Sequence, residues 1–159
     1  MGAGYTAIGE GVASGTAAGG RTVLQLTNPA SNPAPLRGYL YGYRFSAKGI
    51  VSNAEPPRWL ICRQTDAGAG GVALAAGFGP TRLDPLLPAS TVTCLKGPFG
   101  TEPTRGDVVF AQEIHPQSGW GEYIPLGDEI PFDPGSRLAV VVVAAATVLV
   151  TAQLYWRGA

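Results

Sequence analysis

Histidine occurs once and cysteine twice in this 159-residue chain, and each scarcity removes a class of chemistry. A Ser-His-Asp hydrolase needs a histidine base, so His115 is the single candidate. No serine stands in a Gly-x-Ser-x-Gly elbow; the nearest imitation, Gly11-Val12-Ala13-Ser14-Gly15, carries its serine at the wrong place. His115 itself precedes Pro116 in a turn-like run from Glu113 to Trp120, where an exposed polar histidine is the ordinary expectation. Cys62 and Cys94 have no second pair and no CxxC spacing, which argues against both a disulfide framework and a zinc site. Both fall in strand-like surroundings where cysteine serves as a small hydrophobe.

Charge is also scarce. Charged residues make up 14% of the chain, against about 25% in an average globular domain. Eleven Lys and Arg balance eleven Asp and Glu, with the signs scattered, so no electrostatic footprint for nucleic acid exists. The only acidic cluster, Asp128-Glu129 with Asp133, occupies the Gly127 to Gly135 stretch, which reads as a chain reversal rather than a carboxylate pair or calcium loop. The longest apolar stretch, Leu138 to Val150, falls short of the ~20 residues a spanning helix needs, so no membrane partner is expected. The N-terminus lacks the basic and apolar regions of a secretory signal, and Gly2 matches a myristoylation pattern only in part. No motif calls for a metal or a cofactor, and the chain is expected not to be an enzyme.

Breakers, by contrast, are abundant. Gly 23 and Pro 14 together form about 23% of the chain, near twice the ~12% of average proteins, which implies short strands and many turns. Residues 1–20, rich in Gly, Ala, Ser and Thr, read as a flexible arm that gains order on a neighbour, with Tyr5 and Ile8 as its apolar handles. From residue 21 to 159 a single β-sandwich is expected. Its strands are Thr22–Thr27, Leu36–Ser46, Arg58–Thr65, Thr91–Leu95, Asp107–Ile114, Glu122–Leu126, Arg137–Val143 and Val148–Trp156. Tyr39, Tyr41, Tyr43 and Phe45 recur two apart, which predicts four aromatics on one face, as a core wall, with Leu40 and Arg44 on the other. Prolines 80, 85 and 88 make residues 77–90 an irregular connection with room for one helical turn. Eight strands in two packed sheets suit a jelly roll. The apolar strand around Val142 has to be buried on both faces, within the sandwich or against another subunit.

Nine of the eleven basic residues are arginine, a bias that favours bidentate pairing in partly buried contacts. Arg58, Arg63, Arg82 and Arg105 fall at strand ends or in loops, as interface residues do. Tyr5, Ile8, Arg58, Arg82, Arg105 and Trp120 are therefore the candidate partner-binding residues. Trp120 and the tyrosine face also suit stacking on a sugar ring, as in a carbohydrate- or receptor-binding module.

Taken together, Trp59-Leu60-Ile61-Cys62-Arg63-Gln64-Thr65 with its small-residue turn, Leu83-Asp84-Pro85, Thr101-Glu102-Pro103-Thr104 and Val108-Val109-Phe110 form a recognisable pattern. Trp120, Ile130-Pro131 and the closing Tyr155-Trp156 complete it. This pattern resembles the small decoration or cement proteins of tailed-phage capsids, over roughly residues 21–156. The resemblance implies a β-sandwich, commonly trimeric, bound to the major capsid protein where capsomers meet on the virion surface, with no catalytic residues. The Gly-rich leader and the two cysteines depart from it.

Overall fold

The computed structural model describes residues 4–33, 36–48 and 55–158. These form two six-stranded antiparallel sheets packed as a sandwich, and no helix among the described residues is long and apolar enough to cross a membrane. The described residues hold twelve strands: β1 Gly4–Ala13, β2 Arg21–Thr27, β3 Gly38–Lys48, β4 Arg58–Gln64, β5 Val72–Ala73, β6 Thr81–Arg82, β7 Thr93–Lys96, β8 Arg105–Glu113, β9 Gly119–Tyr123, β10 Ile130–Phe132, β11 Arg137–Val143 and β12 Leu149–Arg157. Sheet A runs β10-β3-β12-β1-β6 with β9 also paired to β3, and sheet B runs β5-β7-β2-β11-β4-β8. The principal pairs are nested: β1 with β12, β2 with β11, β3 with β9 and β10, β4 with β8.

All eight strands expected from the sequence are present within two or three residues at most ends. The irregular 77–90 connection holds no helical turn; it contributes β6, which clips onto the edge of β1 through Tyr5↔Arg82 and Thr6↔Thr81.

The expected arm is the main correction. Residues 4–13 are a strand inside sheet A, between β12 and β6, and only residues 14–20 of the leader form a connection. Tyr5, Ala7, Gly9 and Val12 face inward opposite Trp156, Leu154, Ala152 and Val150, and the two residues Glu10 and Gly11 bulge against Thr151. Tyr5, Ala7 and Val12 are buried in the main core. Small side chains here are a packing requirement: a Cβ on Gly9 would lie 2.9 Å from the Val23 carbonyl oxygen of sheet B. The ordering entropy of a Gly-rich segment is offset by backbone pairing on both sides and by the buried Tyr5 and Val12. Ser14, next in line, is spent on structure, its Oγ accepting from the Val148 N–H at 3.0 Å.

Aromatic stacking joins the sheets. Phe45 of β3 lies parallel to Trp59 of β4 with centroids 4.8 Å apart, and Tyr43 meets Phe110 at 4.8 Å. As expected, β11 is central and buried on both faces. Its outer side, with Leu60, Cys62 and Val141, is covered by the chain's own loops. Glu102 accepts from the Thr22 N–H at 2.9 Å and pairs with Arg21 at 3.3 Å, which holds the 97–104 loop to the start of β2. Gly20, at φ +81, brings the 14–20 turn onto β11, where a Cβ would fall 2.7 Å from Val141 Cγ1. Beneath them Gln25, Gln64 and Thr22 satisfy one another in a buried chain of hydrogen bonds of 2.7 and 2.9 Å.

Candidate functional site

The tyrosine strand departs from its period of two. A bulge in β3 sets Tyr155 opposite Gly42 and Trp156 opposite Leu40, leaving Tyr41 as the extra residue. The inward set is therefore Leu40, Tyr43 and Phe45, all buried, while Tyr39, Tyr41 and Arg44 belong to the outer face of sheet A. The expected single wall of four aromatics splits into two inside and two outside, because one inserted residue reverses every later side chain.

Outside, Tyr41, Tyr123 and Tyr155 form a cluster with centroids 5.6 to 6.3 Å apart. Burial raises the hydroxyl pKa values of Tyr41 and Tyr155 above their ordinary value. Bare glycine at position 42 makes the cluster possible, since a Cβ there would stand 2.7 Å from the Tyr123 ring. The guanidinium of Arg44 lies over Tyr155 at 5.8 Å and that of Arg157 over Tyr39 at 5.2 Å.

Beside this cluster a trough of about 460 Å³ runs across β9, β3 and β12. Its polar walls are Arg44, Ser46, Thr151 and Gln153. Its floor is the backbone of β9, where Gly119 and Gly121 pair with Ser46 and Arg44 and present no side chain. Tyr123, two residues further on the same face of β9, is 57% exposed at the end of this floor.

A second feature lies at the end of the sandwich where β1 and β3 begin and β12 finishes. Leu83 (52% exposed), Leu86 (92%) and Leu126 (83%) project from connections at that end. The Leu83 N–H donates to the Gly4 carbonyl at 2.9 Å, and Leu126 sits in the link between β9 and β10, both partners of β3. Leu36, just before β3, is exposed as well.

The partner-binding residues expected from the sequence are scattered by the fold. Tyr5 is a core residue, 6% exposed, whose hydroxyl donates to the Pro88 carbonyl at 3.0 Å, so it is no free handle. Ile8 is half-buried on the outer face opposite Gln153. Arg82, the neighbour of Tyr5 in register, donates to the Leu87 carbonyl at 2.7 Å. Arg105 donates to the Gly19 carbonyl at 3.3 Å and Arg63 to that of Pro131 at 2.9 Å, while Arg58 is exposed opposite Glu113. Trp120 is 43% exposed at the edge of sheet A; it pairs with the inward-facing Phe45, and both residues also line the trough.

Two of the three acidic residues are spent on structure: Glu129 forms a two-bond pair with Arg157 at 2.7 and 2.8 Å, and Asp133 pairs with Arg37. His115 is exposed in its turn, its Nδ1 accepting from the Gln117 N–H at 3.2 Å. The two thiols are free. They lie three strand spacings apart on opposite faces of sheet B, roughly 14 Å at 4.7–4.9 Å per spacing, beyond any disulfide. Burial pushes the Cys62 thiol up to about 11 and Cys94 to about 12. Among the described residues no group of three or more His, Cys, Asp or Glu could hold a metal ion. Gly2 lies outside the described residues.

Comparison with protein families, with curated proteins and with solved structures gives no match for this chain.

Proposed function

We propose that this chain is a non-enzymatic virion structural protein, a decoration or cement protein that binds the major capsid protein of a tailed phage at capsomer junctions, as a homotrimer. The observation that carries the reading is the group of exposed leucines, Leu83, Leu86 and Leu126, at one end of a low-charge sandwich. Exposed apolar tips along one end of a sandwich, here reaching from the β6 edge of sheet A to its β9–β10 edge, support a protein–protein contact. Covering one leucine side chain is worth about 1.5–3 kcal/mol, and repetition across a trimer and a lattice multiplies a weak contact. The nested strand pairing supports a jelly-roll reading, an architecture that recurs in viral capsid domains.

The test is co-sedimentation with purified expanded capsids and the melting temperature of the shell. The wild-type chain is expected to sediment with the shells and raise their melting temperature. Leu86→Asp with Leu126→Asp is expected to keep its own melting temperature and lose both effects. A wild-type chain that leaves the shells unbound and their melting unchanged ends the reading. A second reading, a carbohydrate- or receptor-binding module of a phage tail, is favoured by the polar trough on sheet A.

A further inference from the structure

We infer that the trough on the outer face of sheet A is a binding site for a short saccharide bearing a carboxylate, such as a uronic acid residue. Three properties point the same way. First, the site is concave because sequence leaves it so: Gly119 and Gly121 occupy the two outward positions of β9 that would otherwise fill it, and the resulting volume of about 460 Å³ lies within the ~300–1,000 Å³ usual for small-molecule sites. Neither glycine is required by the backbone, since neither has a positive φ. At Gly119 a Cβ would meet nothing closer than the Phe45 carbonyl oxygen at 3.4 Å, whereas at Gly121 it would stand 2.8 Å from Arg44 Cγ, so Gly121 makes room for the arginine stem and Gly119 alone is left open. A strand position such as Gly119, which tolerates a side chain yet carries none, suits the close approach of a ligand to the sheet.

Second, the walls carry the groups a sugar needs. The hydroxyls of Ser46 and Thr151 and the amide of Gln153 offer donors and acceptors at neutral pH. Gln153 is oriented by its own bond, its Nε2 donating to Thr6 Oγ1 at 3.0 Å, which leaves its carbonyl oxygen as an acceptor. The exposed Tyr123 ring, braced against Tyr41 at 6.3 Å and 16° between planes, supplies a flat apolar surface of the kind on which a pyranose stacks.

Third, Arg44 is the one ionisable side chain among the described residues that line the trough. Its guanidinium carbon lies over the Tyr155 ring at 5.8 Å, and its N–H groups have no hydrogen-bond acceptor among the described residues. A planar fork without an internal partner matches a carboxylate in two parallel hydrogen bonds. The trough stands away from the leucine-bearing end, so this inference holds whether or not that end docks on a shell.

The experiment is a titration of the full ¹⁵N-labelled chain with methyl β-glucuronide, and in parallel with methyl β-glucoside and sodium acetate, read by amide chemical shifts. The glucuronide is expected to give saturable shifts confined to residues 119–121 and 151–153, with the glucoside at least tenfold weaker and acetate without effect. Arg44→Gln is expected to bring glucuronide down to the level of glucoside. Gly119→Val, which fills the floor with a good strand former and removes no polar group, is expected to abolish both while preserving spectral dispersion and melting temperature. Leu86→Asp with Leu126→Asp is expected to leave sugar binding unchanged, which separates this site from the docking surface. Absence of saturable shifts, equal response to glucuronide and glucoside, an effect of acetate alone, or binding that survives Gly119→Val overturns the inference.

Discussion

Three glycines of the leader distinguish a built-in strand from a loose one. On a flexible segment, Gly→Ala at any of Gly9, Gly11 and Gly19 stabilises slightly or does nothing, because alanine restricts the unfolded chain by about 0.4–1 kcal/mol. The sandwich assigns each a different fate. At Gly9 the new methyl meets the Val23 carbonyl oxygen at 2.9 Å and Leu24 Cβ at 3.2 Å, backbone and branch point that have no room to retreat without opening the two sheets. Overpacking of this kind costs about 1–3 kcal/mol. Gly11 has open space but sits at φ +65 in the bulge, where an L-residue costs roughly 1–2 kcal/mol. Gly19 has neither a near neighbour nor a positive φ, so its substitution is expected to be neutral. For a chain of this size each kcal/mol moves the melting temperature by about 2–4 °C, so Gly9→Ala is expected to lower it by roughly 2–12 °C and Gly19→Ala to leave it in place. Urea unfolding followed by tryptophan fluorescence reads the same order, with Trp59 and Trp156 as buried reporters. Three equal, neutral substitutions would refute the placement of β1 between β12 and β6.

Two further outcomes follow from the ionisable groups. Arg157 beside Glu129 holds that carboxyl below its ordinary value of 4.5, so the stabilisation it gives is present above pH 4.5 and is lost as pH falls through the lower folded value. Glu129→Gln is expected to flatten the acid limb of melting temperature against pH, and an unchanged limb contradicts the pair. The thiols, with values of about 11 and 12, carry almost no thiolate at pH 8 and are expected to resist Ellman's reagent in the native chain, then to give two equivalents on unfolding. Fast native reaction of either shows that its burial is wrong.

Strand existence was legible in the sequence where side chains are large. The apolar run of β11 and the alternation of β3 announce themselves, and eight strands follow from such signals. β1 is silent because its inward positions include Ala7 and Gly9, whose small size is the reason sheet B can approach, so a packing requirement looks like a lack of anchors. β10 is hidden by Pro131 in three residues, and β5 and β6 are too short for any periodicity. The bulge at Tyr41 has no signature in residue type, yet it decides which tyrosines reach solvent. The trough was out of reach for a related reason: its walls come from β3 and β12, about a hundred residues apart. Only the alternation Gly119-Trp120-Gly121-Glu122-Tyr123 hinted at its floor, and there the tryptophan, itself a lining residue, drew attention away from the glycines.

The nested pairing also governs how the chain comes to be folded. A β1 released early from the ribosome has its main partner in β12, more than a hundred and thirty residues later, and β2 waits almost as long for β11. Contact order of this kind makes the closing step slow, with the middle strands left to find one another while the first strands stay unpaired. Until that closure, the apolar Val140 to Val143 segment is open to the strand edges of other nascent copies, so rapid synthesis at high concentration favours misassembly over the finished sandwich.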